Sequence, residues 1–148
     1  MIPAMKIEQD FGSVRRFGTA DLSKHGGWIM KRLLKAFPHQ NERGLASWLR
    51  ETVNSNTSLF LYLDHGVALF QVANANVLEH KPMVYERFVF AEEGHAQEAV
   101  EFYGQAYEWA KNLGVDQIVV EVQTDIPHDM IFKKLGRLYS RQQIFAKV

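Results

Sequence analysis

Between residues 86 and 101 the sequence ERFVFAEEGHAQEAVE sets five carboxylates, one imidazole and one glycine across the change from a β-prone run to a helical one. A helix that starts there leaves unpaired amides and the positive end of its dipole at the start of the first turn, which is the chemistry that holds a phosphate-like anion. Glu92, Glu93, Glu98 and Glu101 crowd that same turn, and no Lys or Arg occurs between Arg87 and Lys111. Carboxylates in a first turn stabilise a helix by roughly 0.3 to 1 kcal/mol each. The segment therefore reads either as helix-stabilising glutamates on a solvated turn or as a loop that holds an anion.

Other constellations carry less chemistry. The six histidines, His25, His39, His65, His80, His95 and His128, are scattered without a tight metal-ligand spacing, so no metal site is expected. His128 with Asp125 and Asp129 forms a short acidic loop, read as a loop rather than a metal site. No G-x-S-x-G elbow, Walker loop or dinucleotide glycine fingerprint is present. The absence of cysteine removes disulfides, thiolate metal sites and thiol nucleophiles together. Lys24, Lys31, Arg32 and Lys35, on or near the first helix, form a basic face, either its solvated side or a surface for an acidic partner.

The elements that position these residues follow from periodicity. Ser13 to Phe17 reads as a short strand, and small polar residues at 19–21 could cap a helix. Trp28, Ile29, Leu33, Leu34 and Phe37 recur at helical spacing from Gly27 until Pro38, and Leu45, Trp48, Leu49 and Val53 do so from Glu42 to Val53. The period then shortens: 58–63 and 67–73 flank Asp64-His65-Gly66, a hairpin signal, and 83–90 is a third β-prone run. Ala99, Tyr103, Ala106, Tyr107, Ala110 and Leu113 share one helical face, with Gly114 at the C-cap. A strand at 117–123, a short helix at 129–135 and a last strand at 142–148 complete a mixed α/β layer with helices packed on a mostly antiparallel sheet.

Composition bounds what such a chain does. At 148 residues, 47% hydrophobic and 23% charged, one globular domain over 1–148 is expected. Seventeen basic and seventeen acidic residues balance, which argues against a dedicated nucleic-acid binder. No apolar run approaches the ~18 to 20 residues that a membrane span needs, and the start lacks a signal-peptide pattern, so a cytoplasmic protein is expected. The balance is a cancellation: residues 1–74 carry nine Lys and Arg against six Asp and Glu, and the second half, which holds the Glu-rich loop, reverses the excess.

In this order of elements the sequence resembles the GCN5-related N-acetyltransferase (GNAT) superfamily. The likeness rests on VRRFGTADL at 14–22, on AVEFYGQAYEWAKNLGVDQIVVEV at 99–122, similar to the family's central helix, Gly turn and following strand, and on IFKKLGR at 131–137, similar to its C-terminal box. The resemblance implies a mixed, mostly antiparallel sheet with helices on both faces, and acetyl-CoA as cofactor. Phe88, Val89 and Phe90 would form the end of a splayed strand, and Gly94, His95, Ala96, Gln97, Glu98 and Ala99 the loop whose amides hold the pyrophosphate, with His95 able to donate to a phosphate. Against the family's Q/R-x-x-G-x-G/A loop, Gly94 stands at the Gln/Arg position and Gln97 at the first Gly, while Ala99 fits the second small position. Glu86 matches the strand position of a general base, which an amine needs because only its neutral form attacks a thioester. Phe132 occupies the place of the box tyrosine, and Tyr139 is the nearest replacement.

Two functions follow from the resemblance. One is direct acetyl transfer from acetyl-CoA to a small-molecule or protein amine. The other is a GNAT-like binding or virion/assembly protein, of the kind found in tailed phages, with an eroded cofactor loop and a homodimer or assembly partner.

Overall fold

The computed structural model describes residues 12–76, 81–120, 130, 131 and 133. Within them β1 (Arg15–Arg16), α1 (Asp21–Ala36), α2 (Glu42–Asn54), β2 (Ser58–Leu63), β3 (Gly66–Asn76), β4 (Lys81–Ala91), α3 (Gln97–Asn112) and β5 (Ile118–Val119) follow in order. The five strands lie side by side in chain order, antiparallel from β1 to β4, with β5 parallel to β4. The expected helix at 129–135 is represented by the described residues Met130, Ile131 and Lys133, while the last strand at 142–148, Tyr139 and Phe132 lie outside the described residues.

Strand alternation distributes the apolar residues to two cores. Leu59, Leu61, Ala68, Phe70, Val72, Val84 and Val89 meet Phe102, Tyr103, Ala106, Trp109 and Ala110 of α3 on one face of the sheet. Phe60, Tyr62, Val67, Leu69 and Phe88 meet Ile29 and Leu33 of α1 and Leu49 of α2 on the other. β2 is buried at every position, as a strand covered on both faces must be.

The helix ends show how local chemistry sets the boundaries. α1 begins six residues before Gly27, where the sequence pattern places its start; Gly26 and Gly27 interrupt the apolar stripe without breaking the helix. The Asp21 carboxylate accepts the Gly18 amide at 2.7 Å and so closes the entry turn. Asn41 caps α2 by accepting from the Gly44 amide at 3.1 Å. Gly114, at φ +71, takes the left-handed turn after α3, and Val115 returns its amide to the Ala110 carbonyl.

One irregularity in β4 governs the site. Leu69 faces Phe88 and Phe70 faces Glu86, so Arg87 is an extra residue, a β-bulge, in β4. Before the bulge, Val84 and Glu86 face α3; after it, Val89 faces α3 and Phe88 faces the opposite core. Arg87 itself points outward, and its Nε donates to Gln71 Oε1 at 2.6 Å.

Gly66, the first residue of β3, sits where α3 crosses the hairpin. A Cβ there would lie 2.8 Å from Phe102 Cε2, 2.9 Å from the Phe90 carbonyl oxygen and 3.0 Å from Glu98 Oε1. Gly66→Ala is expected to destabilise the fold by about 1 to 3 kcal/mol through this overpacking. Thermal unfolding checks it; an unchanged melting temperature would contradict so close an approach.

Candidate functional site at the end of β4

Among the described residues β5 pairs with β4 only at Val84↔Ile118 and Tyr85↔Val119. From Glu86 to Ala91 no described strand covers that edge of β4, which runs past the bulge into the β4–α3 loop. Phe88 is fixed on the other face of the sheet by edge contacts to Phe37 and Phe60, with ring centroids 5.1 and 6.2 Å away, and by Trp48 at 6.1 Å. Val89 is packed into the α3 core, and Phe90 lies partly buried against the α1/α2 core. The three residues therefore present their backbone, rather than their side chains, along the edge that no described strand covers.

Glu86 is 7% exposed, at the residue before the bulge. The Tyr103 hydroxyl of α3 donates to its Oε1, and the Tyr103 ring meets Phe70 edge-on at 5.9 Å. Burial, then the neighbouring Glu86 charge, raises the Tyr103 phenol far above its ordinary value, so the hydroxyl keeps its proton and remains a donor. The arrangement holds one carboxylate in a fixed orientation beside the strand edge that no described strand covers.

The loop that follows is tied back to the β2–β3 turn. The Glu92 amide donates to the His65 carbonyl at 2.8 Å and the His95 amide to the Glu92 carbonyl at 3.0 Å. Gly94, exposed and at φ +84, supplies the left-handed conformation that this turn requires. Ala96 and Gln97 are exposed at the start of α3, and the amides of Glu98 and Ala99 close tight turns onto the His95 and Ala96 carbonyls at 3.0 and 3.1 Å.

The glutamates divide into two sets. Glu93 and Glu101 are exposed, as a solvated turn implies. Glu92 instead meets Lys35 of α1 at 3.0 Å, and that hydrogen bond holds its carboxyl below the usual carboxylate range. Glu98 is 7% exposed: its Oε1 accepts the His65 amide at 3.1 Å, and its Oε2 lies 3.2 Å from His65 Nδ1 and 4.0 Å from His95 Nδ1. The expectation of a solvated Glu98 is thus corrected, because α3 crosses the hairpin closely enough to bury its first turn.

Arg32 also departs from the reading of a solvated basic face. It is buried, its guanidinium lies 3.8 Å from the Trp28 ring, and it donates to the carbonyls of Leu63, Asp64 and Gly66. Burial lowers its pKa, while Glu92, Glu98 and Asp64 pull it back up. Sequence reasoning missed Tyr103, Arg32 and His65 as neighbours of this region. His95 and Glu98 at i, i+3 offered a local signal, but His65 reaches them only through the hairpin.

No protein-family model matches the sequence, and no relative is found among curated proteins. Solved structures do match. An aminoglycoside 6'-N-acetyltransferase from Acinetobacter haemolyticus superposes with a TM-score of 0.63 at 16% identity, covering 93% of this chain and 98% of that one. The corresponding enzyme from Acinetobacter baumannii gives 0.64 at 16% identity, with 91% and 96% covered. An aminoglycoside N-acetyltransferase in complex with CoA gives 0.66 at 14% identity, with 91% and 93% covered. The fold is the GNAT fold expected from the sequence.

Tyr103→Phe removes one donor from a buried carboxylate. A loss of about 1 to 3 kcal/mol is expected, read as a melting temperature several degrees lower. A variant as stable as the parent would show that Glu86 does not depend on the phenol.

Proposed function

We propose that the chain is an acyl-CoA-dependent N-acetyltransferase that moves an acetyl group directly from acetyl-CoA to an amine. The observation that carries the reading is the edge of β4 from Glu86 to Ala91, left uncovered by the described part of β5 and leading into the start of α3. A strand edge offers N–H and C=O groups that an extended amide chain can pair with. The pantetheine arm of acetyl-CoA is such a chain, and it would bring the thioester alongside the bulge.

Phe88, Val89 and Phe90 would supply the edge, and Gly94 to Ala99, including His95, Ala96, Gln97 and Glu98, the loop beside the pyrophosphate. The acidic crowd that opposes an anion there is reduced by the packing. Lys35 offsets Glu92, and Glu98 turns away under His65 and His95. Two carboxylates therefore do not face the loop with free charge, and Lys35 of α1 brings to it a basic group that the loop sequence lacks.

In the proposed reaction the neutral amine attacks the thioester carbonyl carbon, the C–S bond breaks, and the CoA thiolate leaves. Glu86 accepts the proton lost by the amine nitrogen, while Tyr103 positions its carboxylate. Three of the structural neighbours are named as aminoglycoside N-acetyltransferases, which supports an amine acceptor. For this chain the acceptor class is a small-molecule or protein amine.

Acetyl-CoA at about 100 times its dissociation constant should add roughly 2.7 kcal/mol of stability, a rise in melting temperature of roughly 5 to 10 °C. No shift at millimolar acetyl-CoA would overturn the reading. Glu86→Gln is expected to lower kcat by about 10²- to 10⁴-fold with acetyl-CoA affinity retained; unchanged turnover would remove Glu86 from the mechanism.

A further inference from the structure

His65, from the turn between β2 and β3, and His95 and Glu98, from the start of α3, bring one ligating atom each to within 4.8 Å of the others. We propose that these three side chains form a binding site for a divalent transition metal of the zinc class. The site is separate from the chemistry assigned to Glu86; it shares His95 and Glu98 with the loop proposed to lie beside the pyrophosphate, and metal binding is read without acetyl-CoA, so the two proposals fail separately.

One donor spacing already suits a tetrahedral ion, and the other must close toward it. Bonds of about 2.0 to 2.1 Å place neighbouring donors of a tetrahedron roughly 3.3 Å apart. Glu98 Oε2 lies 3.2 Å from His65 Nδ1 and 4.0 Å from His95 Nδ1. The other carboxylate oxygen, Oε1, is occupied by the His65 amide at 3.1 Å, which orients the carboxylate and leaves Oε2 toward the imidazoles. Two imidazoles and one carboxylate match zinc, cobalt or nickel, whereas magnesium and calcium prefer all-oxygen sites. A water would complete the shell on the solvent side.

The rings stack with centroids 3.5 Å apart and planes 6° from parallel. A cation in the plane of both imidazoles therefore requires each ring to turn about its Cβ–Cγ bond. The His65 and His95 side chains are 41% and 35% exposed, so solvent borders the space into which they turn. Arg32 is the nearby opposing charge, and its guanidinium is directed at the Leu63, Asp64 and Gly66 carbonyls. Metal binding would fasten the β2–β3 turn to the β4–α3 loop by a second connection, beside the existing hydrogen bond from the Glu92 amide to the His65 carbonyl.

The test uses the full chain, stripped with EDTA and dialysed, titrated with Zn²⁺ by calorimetry and with Co²⁺ by visible absorption. The expected result is one site per chain with tetrahedral Co²⁺ bands. Affinity should fall at least ~10-fold in His65→Gln and, separately, in His95→Gln, with exposed His25→Gln and His39→Gln unchanged. The two ring variants leave Glu98 and the core in place, and matching melting curves in EDTA establish that they are folded. Nuclear magnetic resonance on the parent adds a readout that needs no variant: Co²⁺ should broaden the His65 and His95 ring signals first. Equal affinity in parent and ring variants, broadening centred on other histidines, or displacement of Zn²⁺ by equimolar Mg²⁺ would overturn the proposal.

Discussion

β4 must serve two cores and still leave its edge from Glu86 to Ala91 without a described strand partner, and the bulge at Arg87 is what makes that geometry work. Without the extra residue, Phe88 would continue the face of Val84 and Glu86 and meet α3, where Val89 now packs. The shift places Phe88 among Phe37, Trp48 and Phe60 instead. It also leaves Glu86 as the last side chain to face α3 before the phase changes, and this explains why Tyr103 is the residue that meets it. Bulges bend and twist a strand as well as shifting its phase. The described pairing between β4 and β5 ends at Tyr85, one residue before Glu86.

A second constraint acts where the same strand ends, beside Ala91. Three segments that are distant in sequence converge on the β2–β3 turn: Arg32 binds its carbonyls, Glu98 binds its amide at His65, and the Glu92 amide binds its His65 carbonyl. Each link satisfies a polar backbone group in a crowded place, where an unpaired group would cost about 1 to 3 kcal/mol. The turn is thereby held by α1, the loop and α3 together. The close approach at Gly66 is the steric counterpart of the same convergence.

Much of the fold was legible from local pattern. β2 occupies the six residues that its β-prone run marked, and α2 extends one residue beyond the periodic stretch from Glu42 to Val53. These elements bury strong, uninterrupted apolar patterns, so tertiary packing agrees with local preference. α1 was legible in kind but not in extent, because Gly26 and Gly27 weaken its stripe while Asp21 closes the true start. The candidate site was legible only in part. Glu86 and the Glu-rich loop stood out by residue type, but a bulge has no composition signal, and alternation alone would place Phe88 on the wrong face. The burial of Glu98 and Arg32, and the meeting of His65 with His95, depend on contacts across 30 to 34 residues that no periodicity records.

In the proposed transferase, acetyl-CoA lies along the edge of β4 that no described strand covers and against the loop that opens α3. Amide hydrogen exchange measured with and without acetyl-CoA tests it at residue resolution. Slower exchange confined to residues 86–99 and the first turn of α3 is the expected result. Unchanged exchange across that stretch, or protection centred on α1 and α2 instead, would contradict the account.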